Sequence, residues 1–304
     1  AALPSSISNY LILQIRFSAD GDKIFFMDGT NDRIREYALT SNWNIATIAA
    51  NATTVYYFGN RETNGTDFSF RPDGLRMYIT GTSGDGIDEY ILTSPFDLTS
   101  VTSANFKSLN IGNVYAHYIT DDGTKLFAMT SSEYVYKYNF GSGSEWDVTS
   151  LSSYVTNESG PLGDGSEGAD SSAQSGGFTI TPDGLTLIAQ GRSDDRITHS
   201  ALFSPYVMGN VSNRIREETS TAGLLREANI YAFGFSHGGK YMWLSGSTEK
   251  TIALFDTSSP CQVTLPSSVV EGSPTLIKPN ARTTMEFVTS DGGTNVNLIK
   301  VDVV

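Results

Sequence analysis

Residues 70–80, FRPDGLRMYIT, read as strand, tight turn and strand: Asp73-Gly74 supplies the turn and Met77-Tyr78-Ile79 the strand that leaves it. Nearly the same phrase returns as FSADGDKIFFM from 17, ITDDGTKLFAM from 119, ITPDGLTLIAQ from 180 and FSHGGKYMWLS from 235. The turn glycines Gly21, Gly74, Gly123, Gly184 and Gly239 lie 53, 49, 61 and 55 residues apart. An aromatic follows the glycine by 16 residues (15 in the third unit) at Tyr37, Tyr90, Tyr138 and Phe255, with Ser200 the exception. A second landmark follows it by 22 residues (23 in the third unit): Trp43, Phe96, Trp146, Tyr206 and Cys261. Its surroundings match as well, in SNWNIAT, SPFDLTS and SEWDVTS. Recurrence locked to position in this way marks a repeat architecture.

Each unit reads as four short strands. One runs into the turn (LILQIRF, VYAHYI), a second leaves it (KIFFM, RMYIT) and a third alternates (IREYAL, IDEYIL, VYKYNF, IALFDT). TTVYYFG and SANFKSL are the clearest fourth strands, and only TAGLLREAN from 221 reads as a turn of helix. Four antiparallel strands recurring at this interval predict an all-β β-propeller, in which radial closure removes exposed sheet edges. The expectation is five blades of four strands over residues 1–263, with six blades as the alternative. The recurring Tyr and Trp are expected to fill the space between adjacent sheets. The N-terminal LPSSIS or the later QVTLPSS would supply the outer strand of the last blade. Residues 264–304 are expected to be a C-terminal extension with a β-hairpin about Asp291-Gly292-Gly293, serving as a docking or assembly element.

Composition narrows the partners. Lys plus Arg total 20 and Asp plus Glu 33, a net charge of −13, which repels nucleic-acid phosphate and anionic lipid. No nucleic-acid partner is expected. No apolar run approaches the roughly 18 residues of a membrane helix, so no membrane insertion is expected. The lone Cys261 excludes an internal disulfide framework, and His117, His199 and His237 stand apart, without zinc-ligand spacing. The N-terminal AALPSSISNY has neither a charged region nor a long apolar core, so it does not read as a signal peptide.

The motif F-S-x-D-G leading into a strand, followed by EYILTSPFDLTS or YKYNFGSGSEWDVTS, resembles propeller repeats in virion proteins of marine and cyanobacterial tailed bacteriophages. More distantly it is similar to WD-type and bacterial surface propellers. The resemblance covers about residues 10–263 and the tail; it departs at SPYVMGN, which lacks the Asp, and at SSPCQVT, which lacks both aromatic and Asp. It implies a non-enzymatic structural or adhesion component of a phage particle, on the virion exterior or extracellular. Partners would be other virion proteins, or a second copy through the C-terminal hairpin, and a cell-surface glycan. The alternatives are a secreted five-bladed glycan-active enzyme of glycoside-hydrolase type and a non-viral bacterial surface-binding propeller.

Candidate sites follow from strand alternation. The hairpins between second and third strands carry Asp32, Asp85, Glu133 and Asp195 at equivalent positions, which predicts an acidic binding face. The insertion NESGPLGDGSEGADSSAQSGG from 157 emerges on the same side and offers Asp164, Glu167 and Asp170 as calcium ligands, although their spacing is not that of an EF-hand. No cofactor and no catalytic residue is expected. The strands entering the turns offer only Asp67 and His117 as ionisable candidates besides Arg16, without an evident carboxylate pair.

Overall fold

In the computed structural model the Asp-Gly turns close alike, and the reason is steric. Gly21, Gly74, Gly123, Gly184 and Gly239 have φ between 67° and 74°, the left-handed region open to a residue without Cβ. In three turns a hydroxyl three residues earlier accepts the N–H of the strand that leaves: Ser18 from Lys23 at 3.0 Å, Thr120 from Lys125 at 3.1 Å and Thr181 from Thr186 at 3.0 Å. Asp73, Asp122 and Asp183 accept the N–H two residues on, at 2.9 to 3.0 Å.

The structure describes residues 12–130, 134–156, 159–161, 177–191, 196–202, 204–208, 216–220, 230–236, 239–246, 252–256, 283–289 and 296–303. Within them the fold is all-β and antiparallel. The first sheet holds β1 (Ile12–Phe17), β2 (Lys23–Asp28), β3 (Arg33–Ala38) and β4 (Thr54–Tyr57) in chain order. The second holds β5 (Gly65–Phe70), β6 (Arg76–Gly81), β7 (Gly86–Leu92) and β8 (Val101–Ser108). The third holds β9 (Val114–Ile119), β10 (Lys125–Thr130), β11 (Tyr134–Asn139) and the short β12 (Gly160–Pro161). The fourth comprises β13 (Phe178–Ile180), β14 (Thr186–Gly191), β15 (Arg196–Ala201) and β16 (Arg216–Ser220), and the fifth β17 (Ile230–Phe235), β18 (Tyr241–Gly246) and β19 (Ile252–Asp256). A separate two-stranded sheet pairs β20 (Thr283–Thr289) with β21 (Val296–Val303).

The chain divides into two compact units, Ala1–Gly238 with Met242–Leu254, and Gly239–Tyr241 with Phe255–Val304. In the first, the strands that enter the turns are neighbours: β1 lies beside β5 and β17, β5 beside β9, and β13 beside both β9 and β17. The second contains the β20–β21 hairpin, whose connecting Asp291-Gly292-Gly293 lies outside the described residues. So do LPSSIS, QVTLPSS, TAGLLREAN and Cys261.

The second landmark aromatic sits over its own turn glycine. Trp43, Phe96, Trp146 and Tyr206 all adopt positive φ, from 52° to 68°, and donate their N–H to the carbonyls of Gly21, Gly74, Gly123 and Gly184 at 2.8 to 3.1 Å. A Cβ on any of these glycines would overlap the ring above it. The next residue, Asn44, Asp97 or Asp147, caps a single 3-10 turn by accepting an N–H at 2.9 to 3.1 Å. Thus the repeated Trp-Asn, Phe-Asp and Trp-Asp pairs encode one corner.

The same corner touches the preceding sheet. Phe25 on β2 lies near Phe96, Tyr78 on β6 near Trp146 and Phe127 on β10 near Tyr206, with ring centroids 6.2 to 6.4 Å apart. Glu36 and Glu89, both buried, reach from β3 and β7 to the 3-10 turn of the next sheet, meeting the N–H of Leu98 at 3.4 Å and of Val148 at 3.1 Å. Lys23 and Arg76 pair with these carboxylates. Trp43 and Trp146 are therefore equivalent and lie between sheets as expected, but they are half-buried rather than fully buried. Tyr37, Tyr90 and Tyr138 take the deep positions instead.

Three substitutions test this corner. Gly123→Ala and Gly143→Ala pay a similar backbone cost, since φ is 67° and 77°, but only Gly123 has a ring above it, whereas Gly143 faces open space. Urea melts should show Gly123→Ala more destabilising by about 2 kcal/mol or more, the scale of overpacking at a well-filled site. Trp146→Ala, losing a half-buried rather than a fully buried indole, should cost about 2–3 kcal/mol.

Candidate active site

Counting back from the turn glycine exposes one departure from the repeat. Six residues before it stand Ile15, Phe68, His117, Phe178 and Phe233. Four sheets bury an apolar side chain there; the third buries an imidazole. All five are less than 9% exposed, so His117 occupies a core position in which its polar atoms must find partners.

It finds them on the second sheet. β5 presents Asp67 and Ser69 on one face, two residues apart, and β6 brings Thr80 opposite Asp67 in the register. The Ser69 hydroxyl lies 2.7 Å from His117 Nε2, and Thr80 Oγ1 lies 2.9 Å from Nδ1. Asp67 Oδ2 accepts the backbone N–H of His117 at 2.9 Å and stands 3.6 Å from Nδ1. Its other oxygen accepts from Arg16 Nη2 at 2.8 Å, and Arg16 Nη1 donates to the Ile15 carbonyl at 2.8 Å. Three neighbouring strands, β1, β5 and β9, thus contribute Arg16, Asp67 with Ser69, and His117.

Burial sets the protonation states. Desolvation, only partly offset by Asp67 and reinforced by Arg16, lowers the His117 pKa to about 4. The imidazole is neutral through the physiological range. With Asp67 and Thr80 on the Nδ1 side, the Nδ1–H tautomer leaves the Nε2 lone pair to accept from Ser69. Desolvation likewise lowers the Arg16 pKa against the opposing pull of Asp67, and the guanidinium stays charged. Asp67 and His117 are buried, Ser69 is half-buried, and the Arg16 side chain is 17% exposed. Ser69 and Arg16 are the members of the cluster that solvent reaches.

The arrangement suits nucleophile activation better than glycoside hydrolysis. A retaining glycosidase needs two carboxyls about 5–5.5 Å apart. Among the described residues of the strands entering the turns, Asp67 is the single carboxylate, and Arg16 and His117 already engage it. A Ser hydroxyl on a neutral imidazole, with a carboxylate behind the ring, is the set that acyl transfer uses. Sequence reading named Arg16, Asp67 and His117 but missed Ser69 and Thr80; the signal was available in the one imidazole among five aligned core positions.

The hairpin acids belong elsewhere. Asp32 and Asp85 sit in the β2–β3 and β6–β7 hairpins with φ of 51° and 52°, and their carbonyls accept from Phe58 and Leu109 at 3.0 and 3.1 Å. Burial raises the Asp32 pKa, with Glu62 and Asp28 adding to it. Glu133, Asp195, Asp164, Glu167 and Asp170 lie outside the described residues. Among the described residues no group of three or more His, Cys, Asp and Glu side chains is arranged to hold a metal ion.

No protein-family model and no curated protein matches the chain. Solved structures similar to it include a provisionally assigned 6-phosphogluconolactonase from Bacteroides uniformis ATCC 8492, at 14% identity over 97% of this chain and 78% of that one, with a TM-score of 0.45. Another, from Bacteroides fragilis NCTC 9343 and likewise provisionally assigned, is 14% identical over 94% of this chain and 76% of that one, with a TM-score of 0.44. These neighbours overturn the expected kinship with phage virion propellers. The non-enzymatic structural or adhesion role on a phage particle falls with it, as does the expectation that the chain is not an enzyme. At this identity and TM-score the likeness carries no argument about which reaction the chain performs.

Proposed function

We propose that the chain is a hydrolase of carboxylic esters or lactones, with Ser69 as nucleophile, His117 as general base and Asp67 as the group that orients the imidazole. The observation that carries this reading is the 2.7 Å contact between Ser69 Oγ and His117 Nε2. Ser69 Oγ adds to the substrate carbonyl carbon and passes its proton to Nε2. The adjacent Asp67 carboxylate stabilises the imidazolium. The tetrahedral adduct expels its alkoxide, which takes the proton back from Nε2, and water then cleaves the acyl-enzyme through the same base. The 3.6 Å between Nδ1 and Asp67 is loose for a hydrogen bond, as such contacts often are without substrate. A base with a pKa of about 4 is weak at neutral pH, so the site suits acyl groups with good leaving groups, such as aryl esters and strained lactones. The steps as drawn use side chains alone and call on no cofactor.

The scaffold in this reading is a five-bladed propeller with β1, β5, β9, β13 and β17 innermost. Its support is the neighbour relations of those strands, including β1 beside β17. The hairpin acids Asp32 and Asp85 would line the opposite ends of the sheets from the Asp-Gly turns. The β20–β21 hairpin is assigned to assembly with a second copy, since a two-stranded sheet is marginal alone in water. Deleting residues 280–304 should leave the main thermal transition in place and abolish any oligomer seen by sedimentation; loss of the transition would make the segment part of the fold.

Incubation with a p-nitrophenyl ester should release nitrophenol in a pre-steady-state burst, and a fluorophosphonate should label Ser69, located by peptide mass spectrometry. Ser69→Ala should abolish both. Absence of turnover with aryl esters and lactones, or label on another residue, would sink the reading. The reaction needs neutral His117, so its rate should be flat from about pH 6 to 8 and fall with acid through about pH 4. Stability should move in the same direction. The folded pKa of His117 is below its ordinary 6.5, so its contribution is complete above pH 6.5 and is lost as the pH falls toward 4. His117→Phe, which restores the residue of the second, fourth and fifth sheets, should remove that slope.

A further inference from the structure

A second departure from the repeat faces His117. The second strand of each sheet sets a residue opposite the position seven before the turn glycine: Met27 opposite Gln14, Thr80 opposite Asp67, Met129 opposite Ala116 and Ser245 opposite Ala232. All four lie in the core, none more than 1% exposed. The first and third sheets place an apolar thioether there. The second places a threonine, and that is the sheet against which the imidazole packs. Strand pairing alone does not satisfy a hydroxyl at this place: Ser245 Oγ has no hydrogen-bond partner among the described residues. Thr80 Oγ1 has one, His117 Nδ1 at 2.9 Å. Thr80 on β6 and His117 on β9 thus answer one another.

Asp67 is committed elsewhere. Its Oδ1 accepts from Arg16 Nη2 at 2.8 Å, and its Oδ2 accepts the main-chain N–H of His117 at 2.9 Å, which leaves that oxygen 3.6 Å from Nδ1. This is beyond hydrogen-bond length, whereas the Thr80 contact is within it. A hydroxyl can give or take a proton, so Thr80 by itself does not decide which ring nitrogen is protonated. The carboxylate does. It is an acceptor only, and it disfavours a bare lone pair on the Nδ1 side. Nδ1 therefore carries the proton, Thr80 Oγ1 receives it, and the Nε2 lone pair faces the Ser69 hydroxyl 2.7 Å away.

We infer that Thr80 is a positioning residue of the Ser69–His117 pair: its hydroxyl, rather than the Asp67 carboxylate, accepts the Nδ1–H of the resting imidazole and keeps Nε2 free to take the Ser69 proton. The consequence for turnover rests on the hydrolase reading above; the placement of the proton does not. Asp67 orients the ring through the main-chain N–H of His117, and Thr80 sets its tautomer. Transfer of the proton from Ser69 Oγ to Nε2 gives an imidazolium whose Nδ1–H is still held by Thr80. The ring then need not turn before Nε2 hands that proton to the departing alkoxide.

Long-range proton–nitrogen correlation spectra of the full chain, labelled with 15N-histidine, distinguish protonated from bare ring nitrogens at neutral pH. The His117→Phe variant identifies the His117 signals among those of the three histidines. The expected result is an Nδ1–H pattern for His117 in the unaltered chain and in Thr80→Ser. Thr80→Val and Thr80→Ala should lose it, giving a mixed or Nε2–H pattern. In parallel, kcat for a p-nitrophenyl ester should fall about 100-fold in Thr80→Val, with KM nearly unchanged, and return in Thr80→Ser. A threonine that only filled space would change the melting temperature without moving the nitrogen signals. An Nε2–H pattern in the unaltered chain, an unchanged Nδ1–H pattern in Thr80→Val and Thr80→Ala, or undiminished kcat in Thr80→Val would each overturn the inference. If the spectra behave as expected while no fluorophosphonate label reaches Ser69, the hold of Thr80 on the tautomer is supported and the hydrolase reading alone is lost.

Discussion

The corner at which an aromatic residue in the left-handed conformation lies over a left-handed glycine is the constraint on which the first unit depends. It ties residues 22 or 23 apart, so it joins the first turn of a sheet to the connection that leads out of its third strand. Two left-handed backbones stabilise one another here: the glycine accepts the ring because it has no Cβ, and the aromatic tolerates positive φ because its N–H reaches the glycine carbonyl. The following Asn or Asp then caps the 3-10 turn, and the turns after Asp97 and Asp147 each receive a glutamate from the sheet before. Local geometry and sheet-to-sheet contact are therefore set by the same few residues.

Against that regular frame, irregularity is informative. His117 replaces an apolar residue in a buried layer, and the surrounding Asp67, Ser69 and Thr80 satisfy its polar atoms, with Arg16 bonded in turn to Asp67. An isolated buried imidazole would cost more than it returned, whereas a fully bonded one is tolerated and holds its partners in register. A second irregularity of a different kind stands on β11, where Tyr136, packed with Tyr134 and Tyr154, takes the position that Arg35 and Asp88 hold as ion-pair partners of Asp28 and Arg61 in the first two sheets. Functional groups in a repeat protein are expected where the repeat breaks.

Much of the frame was legible in the sequence. Turn residues and alternating strands have short-range causes, so FRPDGLRMYIT and its relatives located β1, β2, β5, β6, β9, β10, β13, β14, β17 and β18. The periodic Tyr37, Tyr90 and Tyr138 were rightly placed between sheets. The role of Trp43 and Trp146 was only half legible, because nothing in their identity announces a positive φ. The cluster around His117 was not legible as a site, because Arg16, Asp67 and His117 are about 50 residues apart and meet only through sheet-to-sheet packing. Kinship was the least legible property of all. Turn and corner motifs answer to backbone sterics that unrelated chains share, so a likeness of style pointed to phage particles and the neighbours found by structure did not.

The hydrogen bond from Trp243 Nε1 to the Ile15 carbonyl, 3.1 Å long, spans 228 residues. Every corner described above is, by contrast, closed within a single unit. The entropy of loop closure grows with the logarithm of the intervening length, so the corners can form early and independently while the junction of β1 with β17 waits for nearly the whole chain. Folding should then be assembly from largely preformed sheets, with a slow final joining step that carries little local structure. During synthesis the N-terminal sheet would leave the ribosome with one flank unpartnered until β17 and β18 emerge. That interval is when the chain is most open to association with another copy of itself.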